Sequence, residues 1–360
     1  MSKNARLIDY RLRLGKYVER RMLCSAFQRL AVFSPLHKYR YIGFGAYYFT
    51  DFYLFHKELG ISKMISIEKS STEEIKHRYE FNKPFECIEI HFDTSSVILP
   101  QLDWKQPTIT WLDYTEVLTN EIIGDVDTVS RNALSGNIFI LTLRATGDSY
   151  NVENQKTDYP DGTKKMDVFH DLVGHKKLTE QIKSVDLTNK NISKTFAKII
   201  YQRIKNVLYE MNAASTSKLE FIPLFNFKYK DGVPMYSFGG IYIDKELHGE
   251  ALKSIEFSDL DFVRGLDDPF DISIPNLTLK EIKYLESLMP AGIIPDVIVS
   301  KALNSTEEKT SEKGVNGISS NSEEEDGAFY GMHPQIPKMD LEKFKKIYKF
   351  FPTFAETRIG

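Results

Sequence analysis

The stretch Tyr41-Ile42-Gly43-Phe44-Gly45-Ala46, followed one helical segment later by Met64-Ile65-Ser66-Ile67-Glu68, constrains this chain more than any other feature. A short apolar strand runs into a Gly-x-Gly turn, a helix follows, and a second apolar strand ends on a carboxylate. Glu68 lies 25 positions after Gly43, close to the spacing of about 20 expected in a nucleotide-binding βαβ unit. Glycines let the backbone approach a ligand with no Cβ in the way, and a carboxylate at the next strand's tip can accept both ribose hydroxyls. The third glycine of the dinucleotide fingerprint is missing, and Tyr48 stands in its place. That argues against a pyrophosphate cradle and leaves room for a ligand with a ribose but no phosphates.

The alternation continues downstream. Apolar runs at 39–43, 63–68, 87–92, 108–112 and 137–143 read as strands, the fourth ending on Asp113-Tyr114. Helical patterns occupy 49–59, 70–79 and 95–102, and Gly60 supplies a stop after the first of them. Strands alternating with helices of this length imply a mostly parallel sheet covered on both faces. Residues 147–166 are polar and turn-rich and read as a long loop, a candidate lid. A long helix spans 191–211, and runs at 219–227 and 235–243 flank Lys230-Asp231-Gly232 as an antiparallel hairpin. The fold class is therefore α/β, a Rossmann-like sheet with an antiparallel hairpin, an N-terminal helix and a C-terminal helical extension.

Residues 7–32 read as a helix with dense positive charge, including Lys16, Arg20, Arg21 and Arg29, beside an apolar stripe of Leu14, Val18, Met22, Ala26 and Leu30. Its basic face reads as a solvated surface, with an anion site as the alternative. Further helices are expected at 279–288 and 341–351. Between them, 304–327 has no aromatic residue and is dominated by Ser, Glu, Asn, Lys and Gly, a composition that favours solvation over packing. The expected division is an N-terminal helical segment (1–37), a ligand-binding domain (38–245), an extension (246–303), a disordered linker (304–330) and a docking helix (331–360).

Composition excludes several classes. Formal charge is −3 and hydrophobic content 42%, so no global basicity points to nucleic acid and a sizeable core is available. With only Cys24 and Cys87, a disulfide framework or cysteine zinc site is out of reach. No apolar run approaches the ~18 residues of a membrane span, and a cytoplasmic location is expected. His170 and His175 are five apart, the wrong spacing for a metal pair on one helical face. His56, on a helix with Phe52, Phe55 and Leu59, reads as structural, and Tyr47, Tyr48 and Phe49 as helix packing.

This layout resembles the class I S-adenosylmethionine (SAM)-dependent methyltransferase fold: five parallel strands, a hairpin in place of a sixth, and a ligand across the strand tips. Phe81-Asn82-Lys83-Pro84-Phe85 and Trp111-Leu112-Asp113-Tyr114, with residues 10–21 and 41–52, are similar to a bacterial family of predicted O-methyltransferases. The resemblance implies SAM as cofactor and methyl transfer to an unidentified acceptor, a small molecule being favoured. Catechol-type relatives place an Asp-Asn metal pair at the tip of the fifth strand. Here that tip reads Thr142-Leu143-Arg144-Ala145, and Asp113 alone cannot hold a hard cation that wants several oxygen ligands; no metal is expected.

Under this resemblance Gly43, Gly45 and Ala46 form the ligand turn and Glu68 the ribose acceptor, against the readings of a plain tight turn and a solvated acid. Asp93 and Thr94, with Ser95, are placed at the adenine edge or serve as helix caps. Asp113 either acts near the methyl donor, as the candidate catalytic residue, or anchors its loop. Tyr114 either faces the sulfonium, whose charge favours an aromatic face, or is a core aromatic. A non-catalytic SAM- or nucleotide-binding sensor is the alternative function.

Overall fold

The computed structural model describes residues 13–69, 72–174, 181–266, 268–290 and 336–352. The segment 304–330, His175 and the first twelve residues lie outside them. The described residues up to Ser273, with Phe350–Pro352, form one compact unit, and those from Ile274 to Lys349 a second.

The first unit is built on an eight-stranded sheet: β1 (Arg40–Gly43), β2 (Lys63–Ile67), β3 (Ile88–His91), β4 (Thr108–Asp113), β5 (Ile138–Arg144), β6 (Leu219–Asp231), β7 (Val233–Asp244) and β8 (Phe270–Ile272). Spatial order is β3-β2-β1-β4-β5-β7-β6-β8. The first five strands pair in parallel, while β7 is antiparallel to both β5 and β6. From β1 the chain proceeds outward to β2 and β3, then crosses to β4 on the other side. That reversal is a topological switch point, where ligands bind outside the strands' carboxyl ends. All four residues of β1 are buried, as expected of a central parallel strand covered on both faces.

Helices cover both faces. On one, Ile122, Val126 and Val129 of α5 (Asn120–Arg131) and Phe196, Ile200 and Ile204 of α7 (Ile192–Ala213) join a cluster with Ile42, Leu112, Phe139 and Leu141. On the other, Phe52 and Phe55 of α2 (Thr50–Leu59) meet Tyr41 edge-on at 4.8 and 4.9 Å, and Phe55 stacks on Trp111 at 6.1 Å. Phe27 of α1 (Leu14–Leu30) adds an edge contact to Phe55 at 5.6 Å. Phe and Trp bring large apolar areas, and edge contacts suit their quadrupoles.

The solvated-face reading of α1 needs correction. Arg21 and Arg29 do sit near the surface, paired with Glu58 and Asp259, but Lys16 and Arg20 are buried. The helix is covered nearly all round because it packs against both β6 and α2. Its N-terminus has no acid of its own. Asp231, from the hairpin turn, supplies one instead, accepting from the Gly15 and Lys16 amides at 3.0 and 2.8 Å. A carboxylate there satisfies orphan donors and complements the helix dipole.

The expected 147–166 loop is also partly wrong. It folds as two 3₁₀ turns, Gly147–Tyr150 and Val152–Asn154, and α6 (Lys165–Val173) begins before the loop was expected to end. Tyr150 is fully buried and donates to the Leu118 carbonyl at 2.9 Å. A Cβ on Gly147 would lie 1.8 Å from the Leu187 carbonyl oxygen, so only glycine fits where the two backbones meet. One buried tyrosine anchors a segment whose polar composition hides it.

The second unit contains α9 (Leu279–Ser287) and α10 (Lys338–Ile347). A reciprocal capping box starts α9: the Thr278 amide donates to Glu281 at 2.7 Å and the Glu281 amide to Thr278 Oγ1 at 3.3 Å. Leu341, Phe344 and Ile347 are buried on one face of α10, which begins three residues before the expected 341. Among the described residues no helix is long and apolar enough to cross a membrane.

Candidate active site

A cleft opens at the tips of β1 to β4, and Phe44, Asp93, Thr94, Ser95, Asp113 and Tyr114 are among its walls. A smaller cavity adjoins it, bordered by Arg20, Gly45, Ala46, Thr50 and Asp51. Phe44 and Asp113 line both. The switch point thus brings Asp93, Thr94, Asp113 and Tyr114 to one cleft and Gly45 and Ala46 to the cavity beside it. Gly43 and Glu68 line neither.

Glu68 faces the glycine turn. Its Oε1 accepts from the Gly45 amide at 2.7 Å, the Ala46 amide at 3.0 Å and the Ser66 hydroxyl at 2.8 Å. The residue is fully buried. Burial raises its pKa above the ordinary 4.5, although the bonds from Ser66, Tyr79, Gly45 and Ala46 pull the other way. To reach a ribose, Oε1 would have to release the two turn amides. The turn itself is tight: Ala46 and Phe49 both have positive φ, 48° and 45°, a conformation that side chains other than glycine's rarely adopt.

Packing alone requires the glycines. A Cβ on Gly45 would lie 2.4 Å from the Phe49 ring and 2.8 Å from Ser66 Oγ; one on Gly43 would lie 2.6 Å from the Tyr41 hydroxyl. Phe49 is fixed edge-on between Phe52 and Tyr79, so it has little room to yield. Gly45→Ala should therefore cost about 1–3 kcal/mol of stability, read by urea unfolding; a variant as stable as the parent would show the turn to be plastic.

Behind Asp113 lies a buried charge cluster that the sequence reading missed. Lys16 Nζ stands 2.9 Å from Asp113 Oδ2 and 3.0 Å from Glu19 Oε2, with side-chain exposures of 2% for Lys16 and 16% for Asp113. The ammonium also sits 4.1 Å over the Trp111 ring. Burial lowers the Lys16 pKa, but Asp113 and then Glu19 more than offset it, so the net shift is upward. Burial raises Glu19. Arg20 pairs through Nε with Asp51 on α2. The signal in the sequence was Glu19, an acid spaced three from Lys16 amid a basic run.

Tyr114 belongs to a second network. Its hydroxyl donates to Asp125 Oδ2 at 2.5 Å, Ser95 donates to the same oxygen at 2.6 Å, and Phe44 meets the Tyr114 ring edge-on at 5.0 Å. Asp93 is exposed and accepts from the Thr94 amide at 2.7 Å. Thr94 occupies the N-cap of α4 (Ser95–Ile98), but its hydroxyl pairs with Ser96 at 3.0 Å instead of a helix amide. At the β5 tip, Thr142 is fully buried; it accepts from Trp111 Nε1 at 2.9 Å and lies 2.7 Å from the Ser237 hydroxyl. It lines neither cavity. His56 Nδ1 lies 2.8 Å from the Ile61 carbonyl and its ring 4.2 Å from that of Phe85, a packing role. Tyr47 and Phe49 are buried near Tyr79, while Tyr48 is exposed.

Strand order, the hairpin with its antiparallel strand inside the sheet, and a cleft at the β1/β4 switch point define a Rossmann-like fold of the class I methyltransferase type. A family model described as "Putative O-methyltransferase" matches residues 8–359, and the chain belongs to that family. No curated protein matches the chain. Among solved structures it is similar to a "putative S-adenosylmethionine dependent methyltransferase" from Listeria monocytogenes, at 9% identity over 61% of this chain and 98% of that one, with a TM-score of 0.34. The O-methyltransferase TomG from Streptomyces achromogenes, in complex with SAM, matches at 13% identity over 62% and 79%, TM-score 0.33. Human N-acetylserotonin methyltransferase, in complex with SAM, matches at 10% over 64% and 57%, TM-score 0.30. The family match, not these distant likenesses, places the chain.

Proposed function

We propose that this protein transfers a methyl group from SAM to an oxygen of a small-molecule acceptor, with the cofactor in the cleft at the tips of β1 to β4. The observation that carries the reading is the convergence of Asp93, Thr94, Asp113 and Tyr114 on that cleft in a chain of the methyltransferase family. The residues fit such a ligand: acceptors along the cleft wall suit an adenosine, and Asp113, at the junction of the two cavities, lies beside an aromatic wall that tolerates a cation.

The reaction is an in-line displacement. The acceptor oxygen forms a bond to the methyl carbon, the carbon–sulfur bond breaks, and its electron pair returns to sulfur, which leaves as the neutral thioether of S-adenosylhomocysteine (SAH). The protein contributes alignment and a water-poor site. In this reading Asp113 orients the acceptor hydroxyl and takes its proton, while Lys16, fixed against Asp113 Oδ2, holds the side chain in place. Glu68 keeps the Gly45–Ala46 turn in shape at the border of the smaller cavity.

Transfer should not depend on a divalent metal. One oxygen of Asp113 is held by Lys16, and Thr142 is turned to Trp111 and Ser237, so the tips of β4 and β5 offer fewer oxygens than an octahedral cage wants. Transfer of labelled methyl from SAM into extracted metabolites tests the activity, and EDTA should leave it unchanged. Activity lost on chelation and restored by Mg²⁺ would contradict the metal-free reading. Tight SAM binding with no transfer to any extract fraction would favour a sensor.

A further inference from the structure

We propose that Asp125 sets the hydrogen-bonding polarity of the cleft wall and so selects a ligand edge that carries an amino group, the 6-amino group of adenine, over one that carries a carbonyl. This deepens the SAM reading and rests on it. Asp125 lies on α5 and is 2% exposed. Its Oδ2 accepts from the Tyr114 hydroxyl at 2.5 Å and from the Ser95 hydroxyl at 2.6 Å, and those two oxygens are 3.0 Å apart.

Each hydroxyl owns a single proton, and an ionised carboxylate only accepts. With both protons directed at Asp125, the Ser95 and Tyr114 oxygens have only lone pairs to offer. Both residues line the cleft, as does Asp125 itself, so at this point its side chains accept and do not donate. Burial first, and Asp125 second, push the Tyr114 phenol well above its ordinary range, so it keeps the proton that the arrangement needs. The edge contact from Phe44 fixes the ring that carries it.

An amino group placed here donates to waiting oxygens. A carbonyl placed here sets its lone pairs against two oxygens whose protons are committed and a carboxylate behind them. Sites built around a specific hydrogen bond reject the analogue that cannot make it far more strongly than apolar pockets reject a change of size. Asp125 acts here through Ser95 and Tyr114, and its own carboxylate, on the same wall, adds a further acceptor.

The test compares SAH with its deaminated analogue, S-inosylhomocysteine, by calorimetric titration of the full chain. Wild type should bind SAH about 10- to 100-fold more tightly. In Asp125→Asn the amide can donate to the hydroxyls, freeing their protons to point into the cleft, and the ratio should fall to within about threefold or invert. A merely structural Asp125 would weaken both ligands alike and leave the ratio unchanged, which would overturn its role. Should Asp125→Asn not fold, Tyr114→Phe, which deletes one of the two oxygens, must still lower the ratio. Equal affinities in wild type would overturn the proposal while leaving SAM binding intact. Failure of wild type to bind either ligand would overturn the SAM reading itself.

Discussion

Replacing Lys16 with methionine should destabilise the protein by about 3–5 kcal/mol, the largest effect expected of any single substitution at the site. Methionine keeps much of the apolar stem, so packing is largely preserved and the loss isolates the charge. What remains is half-buried Asp113 and fully buried Glu19 facing one vacated position, with their shared cation gone. The deficit should depend on pH in a defined direction. Burial already raises Glu19 above 4.5 while Lys16 pulls the other way, so losing the cation raises Glu19 further. A carboxyl whose folded pKa exceeds its unfolded value contributes stability that is present below the unfolded value and lost as pH rises through the folded one. Urea unfolding of Lys16→Met should therefore show a gap from wild type that is widest at neutral pH and narrows toward pH ~4. Adding Glu19→Gln should recover part of it. A variant as stable as wild type at neutral pH would mean that this cluster does not organise the site.

The second large effect concerns Glu68, where the choice of replacement matters more than the position. Glu68→Ala removes the acceptor for the Ala46 amide and the Ser66 hydroxyl, while the Gly45 amide keeps Ser66 Oγ at 3.0 Å. Each buried donor left unsatisfied costs about 1–3 kcal/mol, so a loss near 3 kcal/mol is expected, with weaker SAM binding because the turn borders the smaller cavity. Glu68→Gln keeps an oxygen where Oε1 stands and should cost less than about 1 kcal/mol. It also removes a titration. Because burial raises the Glu68 pKa, wild type loses stability as pH rises from about 4.5 through the folded value, and the Gln variant does not. The Gln variant should thus gain on wild type as pH increases. Equal losses for Ala and Gln, flat with pH, would show that the acceptor oxygen is not what holds the turn.

Much of the sheet was legible in the sequence because its strands are short apolar runs bounded by turn residues. The first five strands lie within about two residues of expectation, and both arms of the hairpin extend two to four residues nearer the turn than expected. The glycine turn and the strand-tip residues were found because they sit at fixed offsets from those strands. What escaped was set by tertiary contact. Lys16 and Arg20 carry charge, and only the position of α1 between β6 and α2 makes them interior. Asp125 lies in α5, a helix whose apolar positions were not recognised as periodic. Nothing local tells a buried helical aspartate from a solvated one until Ser95 and Tyr114 are seen beside it. Likewise the reach of Asp231 back to the start of α1 spans more than 200 residues. Charge reads as surface in a sequence. Folding decides which charges are enclosed with partners.

The most direct measurement is the affinity for SAM of wild type beside a variant whose cleft is filled. Thr94 lines the cleft, and its hydroxyl makes no helix-capping bond, so Thr94→Trp should block the space with little change in thermal stability. Calorimetric titration should give wild type a Kd of roughly 1 µM to 1 mM, the range in which enzymes commonly hold their substrates, and no detectable binding to the folded Thr94→Trp variant. Wild type that ignores SAM at millimolar concentration, or a filled variant that binds it undiminished, would contradict the placement of the cofactor in this cleft.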